Sequence, residues 1–140
     1  MLSVLGMAHK IDELPIFGKA QEFCDAVSAT LARSRVRRTD NRYKQIVEAN
    51  DSILSNMDEG FEQGSDDQFA NFLGYSKGSL AEVMRRLRRS AQRGEVAAED
   101  ISALETLAEP LGKMFGGFIK YLKRSGFKDR GRFRASQERK

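Results

Sequence analysis

The residues best equipped for chemistry in this chain are arginines. Arg85-Arg86-Leu87-Arg88-Arg89, with Arg93 a turn further on, puts five guanidinium groups into nine residues. With Leu80 at the centre of an apolar stripe and about 100° per residue, Val83, Met84, Leu87 and Ala91 stay within about 60° of it. Arg85, Arg86, Arg89 and Arg93 then fall on the opposite half, and Arg88 on the flank. One or two cations would complement the negative end of a helix; five exceed that need. Arginines clustered on one face form the usual footprint of a phosphate backbone. The run is therefore read as a polyanion-binding face, and a plain solvated face is the competing reading.

A second basic element follows at the end of the chain. Residues 123–140 carry a net charge of +6, which leaves −2 for everything before them. Arg130-Gly131-Arg132-Phe133-Arg134 interleaves arginine, glycine and an aromatic ring, as flexible RNA-binding segments do. A solubilising tail is the competing reading.

Other chemistries find little to work with. A di-iron site in a helical bundle needs Glu-x-x-His pairs, and the single histidine, His9, precedes the periodic segments. There is no P-loop, dinucleotide fingerprint or zinc spacing. Cys24 lies on an apolar stripe and is read as a core thiol; one cysteine excludes an intrachain disulfide framework and fits a reducing cytoplasm. No apolar run is long enough for a membrane span. The expectation is a non-enzymatic protein with no catalytic residue, no metal ligand and no cofactor.

The elements that would position the arginines are helices. In 140 residues there are two prolines and no tryptophan, and the apolar residues keep a helical period in four blocks. The first spans about 14–33, with Phe17, Ala20, Cys24, Val27 and Leu31 on one stripe and Pro15 suited to a first-turn position. The second follows Thr39-Asp40, either of which could cap it. The third opens at Ser65, with Asp66 and Asp67 behind the cap, and stops near Gly94. The fourth spans about 98–124 and ends at Ser125-Gly126. Pro110 should kink it. Gly74-x-x-x-Gly78 and Gly112-x-x-x-Gly116 are read as close helix contacts.

Short connections make successive helices antiparallel neighbours, so the predicted fold is an all-α, up-down-up-down four-helix bundle. It would occupy 14–125, after an N-terminal extension (1–13) and before a flexible basic tail (126–140). That topology gathers Arg33, Arg35, Arg37, Arg38 and Arg42 at one pole with Arg85, Arg86, Arg88, Arg89 and Arg93. The opposite pole holds Asp58, Glu59, Glu62, Asp66 and Asp67. Asn50 sits in the middle of the second helix's apolar stripe, where a buried polar group fixes register or oligomer state.

The second and third blocks also resemble a known family. Gln45-Ile46-Val47-Glu48-Ala49, then Ser52-Ile53-Leu54-Ser55-Asn56-Met57-Asp58-Glu59-Gly60-Phe61, is similar to that family's Q-L-x-R-A-x-x-S-I-P-x-N-I-A-E-G-F stretch. Phe69-Ala70-Asn71-Phe72-Leu73 and Gly78-Ser79-Leu80-Ala81-Glu82-Val83 resemble its following F-x-x-F-L and G-S-x-x-E-L elements. The family is that of bacterial four-helix bundle proteins first noticed as reading frames in 23S rRNA intervening sequences. More distantly it takes in the Avd accessory proteins of diversity-generating retroelements.

The resemblance implies a homopentamer with no assigned catalytic activity, acting as a nucleic-acid-binding accessory protein. In the retroelement branch the partners are a reverse transcriptase and RNA. It further implies structural roles for Asn56, Glu59, Gly60 and Glu82 around the junction of the second and third helices. Gly60 would serve there as a bend or close-contact position. Glu48, Leu54 and Gln63 depart from the family pattern, where Arg, Pro and Arg are common, so basic contacts at those places do not carry over. The alternative function is a protein-interaction scaffold without direct nucleic-acid binding, its arginines serving acidic partners.

Overall fold

The computed structural model describes residues 10–138, with side chains described as far as residue 126. A short 3-10 turn, Ile11–Glu13, leads into four helices: α1 (Pro15–Arg33), α2 (Asn41–Glu62), α3 (Asp66–Gln92) and α4 (Ala98–Glu138). Each start has a local cause. Pro15 occupies the first turn of α1, where its missing N–H costs nothing. Asp40 caps α2 by accepting the Arg42 backbone N–H at 2.9 Å, so of the two candidates it is the aspartate that serves. Ser65 caps α3 through the Gln68 N–H at 3.2 Å. Beyond α3 the chain reverses at Gly94, whose φ of 75° favours a residue without a Cβ.

The helices touch in sequence order. α2 lies along α3 and α3 along α4, while α1 makes lighter contact with α2 and α4. This is the ring of neighbours that short connections dictate for an up-down bundle. The core runs its full length, from Phe69, Phe115 and Leu122 near one pole, through Phe23, Ile53 and Leu73, to Leu87 and Leu104 near the other. None of the described helices is long and apolar enough to cross a membrane.

Four details differ from the sequence expectations. In α1 the stripe is rotated: Ile16 and Phe23 are buried, whereas Phe17 is only half-buried. The Phe23 ring is fully buried among the neighbouring helices, and Phe17 packs at the edge of the core. Gly74 and Gly78 are exposed with open space around them. They lie on the outward face of α3 and make no close helix contact within the chain. Pro110 also sits on an exposed face, and α4 passes through it unbroken. Its missing N–H leaves the Thr106 carbonyl without its helical donor, and Thr106 is itself an exposed residue.

The fourth concerns the end of α4. The helix continues through Ser125-Gly126 to Glu138. No proline follows to interrupt the hydrogen-bond ladder. Gly126 is buried where α4 meets the start of α3, and any Cβ there would fall on the Asp67 carboxylate. Glycine at this point is a contact, and the stop signal read from it is overridden by packing. The expected N-terminal extension lies outside the described residues as far as residue 9.

Candidate nucleic-acid interface

Three segments build the basic pole: the α1–α2 connection, the last turns of α3, and the α3–α4 connection. The two connections are tied together by the Arg35 N–H, which donates to the Glu95 carbonyl at 2.8 Å. Val36 and Val96 are buried beneath them. Burying Val36 turns Arg35 and Arg37 outward on either side of it, and both are exposed, as is Arg38. On α3 the buried positions Val83, Met84, Leu87 and Ser90 leave Arg85, Arg88, Arg89 and Arg93 exposed.

The ten arginines gathered here divide into two groups. Four are held by carboxylates of the same chain. Arg33 reaches Asp100 at 3.0 Å, and Arg88 reaches Glu105 at 2.9 Å. Arg42 is gripped from two sides, by Asp40 and by Glu95, each at 2.8 Å. The Arg42 guanidinium in turn holds the Asp40 carboxyl down at a pKa of about 2, by direct hydrogen bonding before charge. Arg86 binds Glu82 at 3.0 Å and donates to the Gln45 Oε1 at 2.8 Å.

Arg35, Arg37, Arg38, Arg85, Arg89 and Arg93 form the second group. They make no side-chain hydrogen bond or ion pair among the described residues, so their donors are available to an external anion. Arg86 is a correction to the helical-wheel reading. It is half-buried in the cleft between α2 and α3, because Gln45 and Glu82 draw it inward from the solvated face.

Between α2 and α3 the pole is concave. A cavity of about 180 Å³ is lined by Arg42, Gln45, Ile46, Arg86, Arg89, Ser90 and Arg93. The carboxylates that hold Arg42 and Arg86 (Asp40, Glu95 and Glu82) are not among its lining residues. Sequence reading did not find these carboxylates as arginine partners. Asp40 was visible only as a cap, and Glu95 comes near Arg42 only when the connections meet. Glu82 stands one helical turn before Arg86 on the same helix, an i,i+4 spacing that could have been read from the sequence.

The other pole is acidic, and it is where α4 arrives. From Ala98 to Gly126 the helix rises about 42 Å at 1.5 Å per residue. Arg130, Arg132 and Arg134 therefore begin at the pole opposite the arginine cluster, and the two basic elements are separate places. Their side chains lie outside the described residues. At this pole Asp66 is buried, only 4% exposed, and neither carboxylate oxygen finds a hydrogen bond among the described residues. Burial raises the Asp58 carboxyl above its ordinary value.

The residues singled out along α2 take structural positions. Asn50 Nδ2 donates to the Cys24 carbonyl at 3.1 Å, joining α2 to α1. Gly60 lets α3 approach: a Cβ there would stand 2.6 Å from the Cβ of Phe72. Asn56 donates to the Ser52 carbonyl at 2.8 Å, and Glu59 accepts from Gln63 at 2.9 Å, both within or just beyond α2 itself. Glu82 departs from its expected place. It lies roughly 24 Å along α3 from the helix 2–3 junction and serves Arg86 near the basic pole.

The family model described as 23S rRNA-intervening sequence protein matches residues 12–117, which takes in α1 to α3 and the first half of α4. No curated protein matches the chain.

Proposed function

The chain belongs to the 23S rRNA-intervening sequence protein family, and on that premise we propose that it is a non-enzymatic accessory protein that binds nucleic acid, RNA in particular, through its basic pole. The observation that carries this reading is the group of six exposed, unpaired arginines drawn from two connected segments. An arginine retained for stability finds a carboxylate, as Arg33, Arg42, Arg86 and Arg88 do. Arg35, Arg37, Arg38, Arg85, Arg89 and Arg93 make no such contact, Arg93 only facing the Asp40 charge at longer range, and their donors are free for an anion. Contacts of this kind read phosphates and tolerate sequence.

Self-assembly is part of the proposal, to a homopentamer on the family resemblance. Copies arranged about a rotation axis repeat the basic pole and multiply weak phosphate contacts into avidity. A reverse transcriptase as further partner is the retroelement version of the same reading. The scaffold reading has one observation in its favour. A groove of about 490 Å³ between α3 and α4 is floored by Leu80, Met84 and Ala108.

Reversing Arg85 and Arg89 to Glu tests the proposal. Both side chains project into solvent without partners, so the double variant keeps helicity and assembly size while RNA binding is lost. Wild-type affinity falls with salt by about 0.7–0.9 log units per log[salt] for each phosphate neutralised. Absence of wild-type binding at low salt, or binding indifferent to the substitutions, transfers the function to the scaffold.

A further inference from the structure

We infer that the cavity between α2 and α3 at the basic pole is a seat for a single terminal phosphate, a phosphomonoester at the end of a nucleic-acid strand. The inference rests on the nucleic-acid reading above and goes beyond it by naming the group recognised.

Two of the four arginines around the cavity are fixed before any ligand arrives. Arg42 is gripped by Asp40 and Glu95, and its side chain is 37% exposed. Arg86 is held through Glu82 and Gln45 and is 27% exposed. Those carboxylates hold the guanidiniums without lining the cavity, so no acidic group lines the wall that an anion would meet. Arg89 and Arg93 stand one helical turn apart at the same cavity, exposed and without ion pairs. The arrangement is a pre-organised floor with two arms free to close on a guest.

The dimensions and donors select the guest. At about 180 Å³ the recess has the volume of roughly six water molecules at ~30 Å³ each. That suffices for one tetrahedral oxyanion with some water, and is too little for a nucleoside. A backbone diester has a chain leaving on both sides, one charge and two free oxygens. A terminal phosphate has one attachment, close to two charges near neutral pH and three strong acceptor oxygens. Guanidinium groups converging from two helices supply paired donors in the fork geometry that suits such oxygens. The remaining arginines of the pole, Arg35, Arg37, Arg38 and Arg85, are left to meet the diesters of the same strand.

The test compares one short single-stranded RNA carrying a 5′-phosphate with the same RNA after its phosphate is removed, with inorganic phosphate as a third probe. Binding is read by calorimetry and by the arginine side-chain NMR signals. The phosphorylated RNA is expected to bind about tenfold tighter, the worth of one added charge-assisted hydrogen bond. Inorganic phosphate moves the same arginine signals. The R89Q/R93Q variant abolishes both the preference and the phosphate response. R35Q/R37Q/R38Q weakens both RNAs alike and keeps the preference. Equal binding of the two RNAs by the wild type, or a preference that survives R89Q/R93Q, overturns the inference and leaves general RNA binding standing. If neither RNA binds yet phosphate responds through Arg89 and Arg93, the nucleic-acid reading falls and the seat stands for free phosphate. No response to any of the three probes overturns both.

Discussion

Asn50 and Cys24 exchange hydrogen bonds in both directions across the α1–α2 contact. The Asn50 side chain donates to the Cys24 carbonyl at 3.1 Å, and the Cys24 thiol donates to the Asn50 carbonyl at 3.6 Å. Both residues are buried, and this contact is among the lighter ones of the bundle. The pair fixes how far α1 can slide along α2, which apolar packing alone specifies weakly. It is also incomplete, because Asn50 Oδ1 is buried without a partner.

Asn50→Leu removes that unpartnered acceptor together with the clamp. The two effects oppose one another, so stability should change by within about 1 kcal/mol. What should change is uniqueness. Native mass spectrometry is expected to give a broader distribution of assemblies than the wild type. A single unchanged species confines the role of Asn50 to packing.

Burial also pushes the Cys24 thiol up to about 12, aided by Asp25 and Asp51. The folded chain therefore keeps the proton that the unfolded chain gives up near pH 9. Stability from this group is complete below pH 9 and declines as pH rises towards 12. Native protein should resist iodoacetamide at pH 8, while denatured protein is alkylated readily; equal rates in the two states contradict the burial.

Gly60→Ala weighs helix propensity against space. Alanine gains about 1 kcal/mol in a helix interior. Here its methyl would stand 2.6 Å from the Cβ of Phe72 and 3.1 Å from Phe69. A Cβ cannot swing aside as a side-chain tip can, so α2 and α3 must separate. A net loss of about 1–3 kcal/mol is expected in chemical denaturation, and a gain would contradict the close approach.

Asp40→Asn preserves the cap, since asparagine serves there as well as aspartate, and removes the charge facing Arg42 and Arg93. The Asp40 carboxyl is depressed from 3.8 to about 2. Its contribution is present above the unfolded value and lost as pH falls through the folded one. The gap in melting temperature between wild type and variant should therefore be constant above pH 4 and close towards pH 2. A gap independent of pH contradicts a stabilising role for the Asp40 charge.

Deleting residues 127–140 removes six of the chain's cations and two of its acids. The deleted segment starts about 42 Å along α4 from the arginine cluster. RNA binding should weaken less than in the double Glu variant, and the 5′-phosphate preference should persist. Loss of all binding on deletion would move the interface to the other end of the molecule.

Much of this molecule was legible in the residues themselves. Apolar spacing, the caps at Asp40 and Ser65 and the glycine at 94 define where helices run and turn, because those are local properties of the backbone and its nearest side chains. Short connections then leave one economical order of packing, and with it two poles of opposite charge. What each arginine does was decided only when distant segments met. Arg42 finds Glu95 fifty-three positions away and Arg86 finds Gln45 forty-one positions away, so which guanidiniums are spent on the fold depends on the bundle's geometry. The same holds for Gly126, a stop by composition that became a contact with Asp67, and for the tail, whose backbone α4 continues as helix at the pole opposite the arginine cluster. Helices are written in local pattern, whereas the partner of a long charged side chain is set by whichever opposite charge the fold brings within reach.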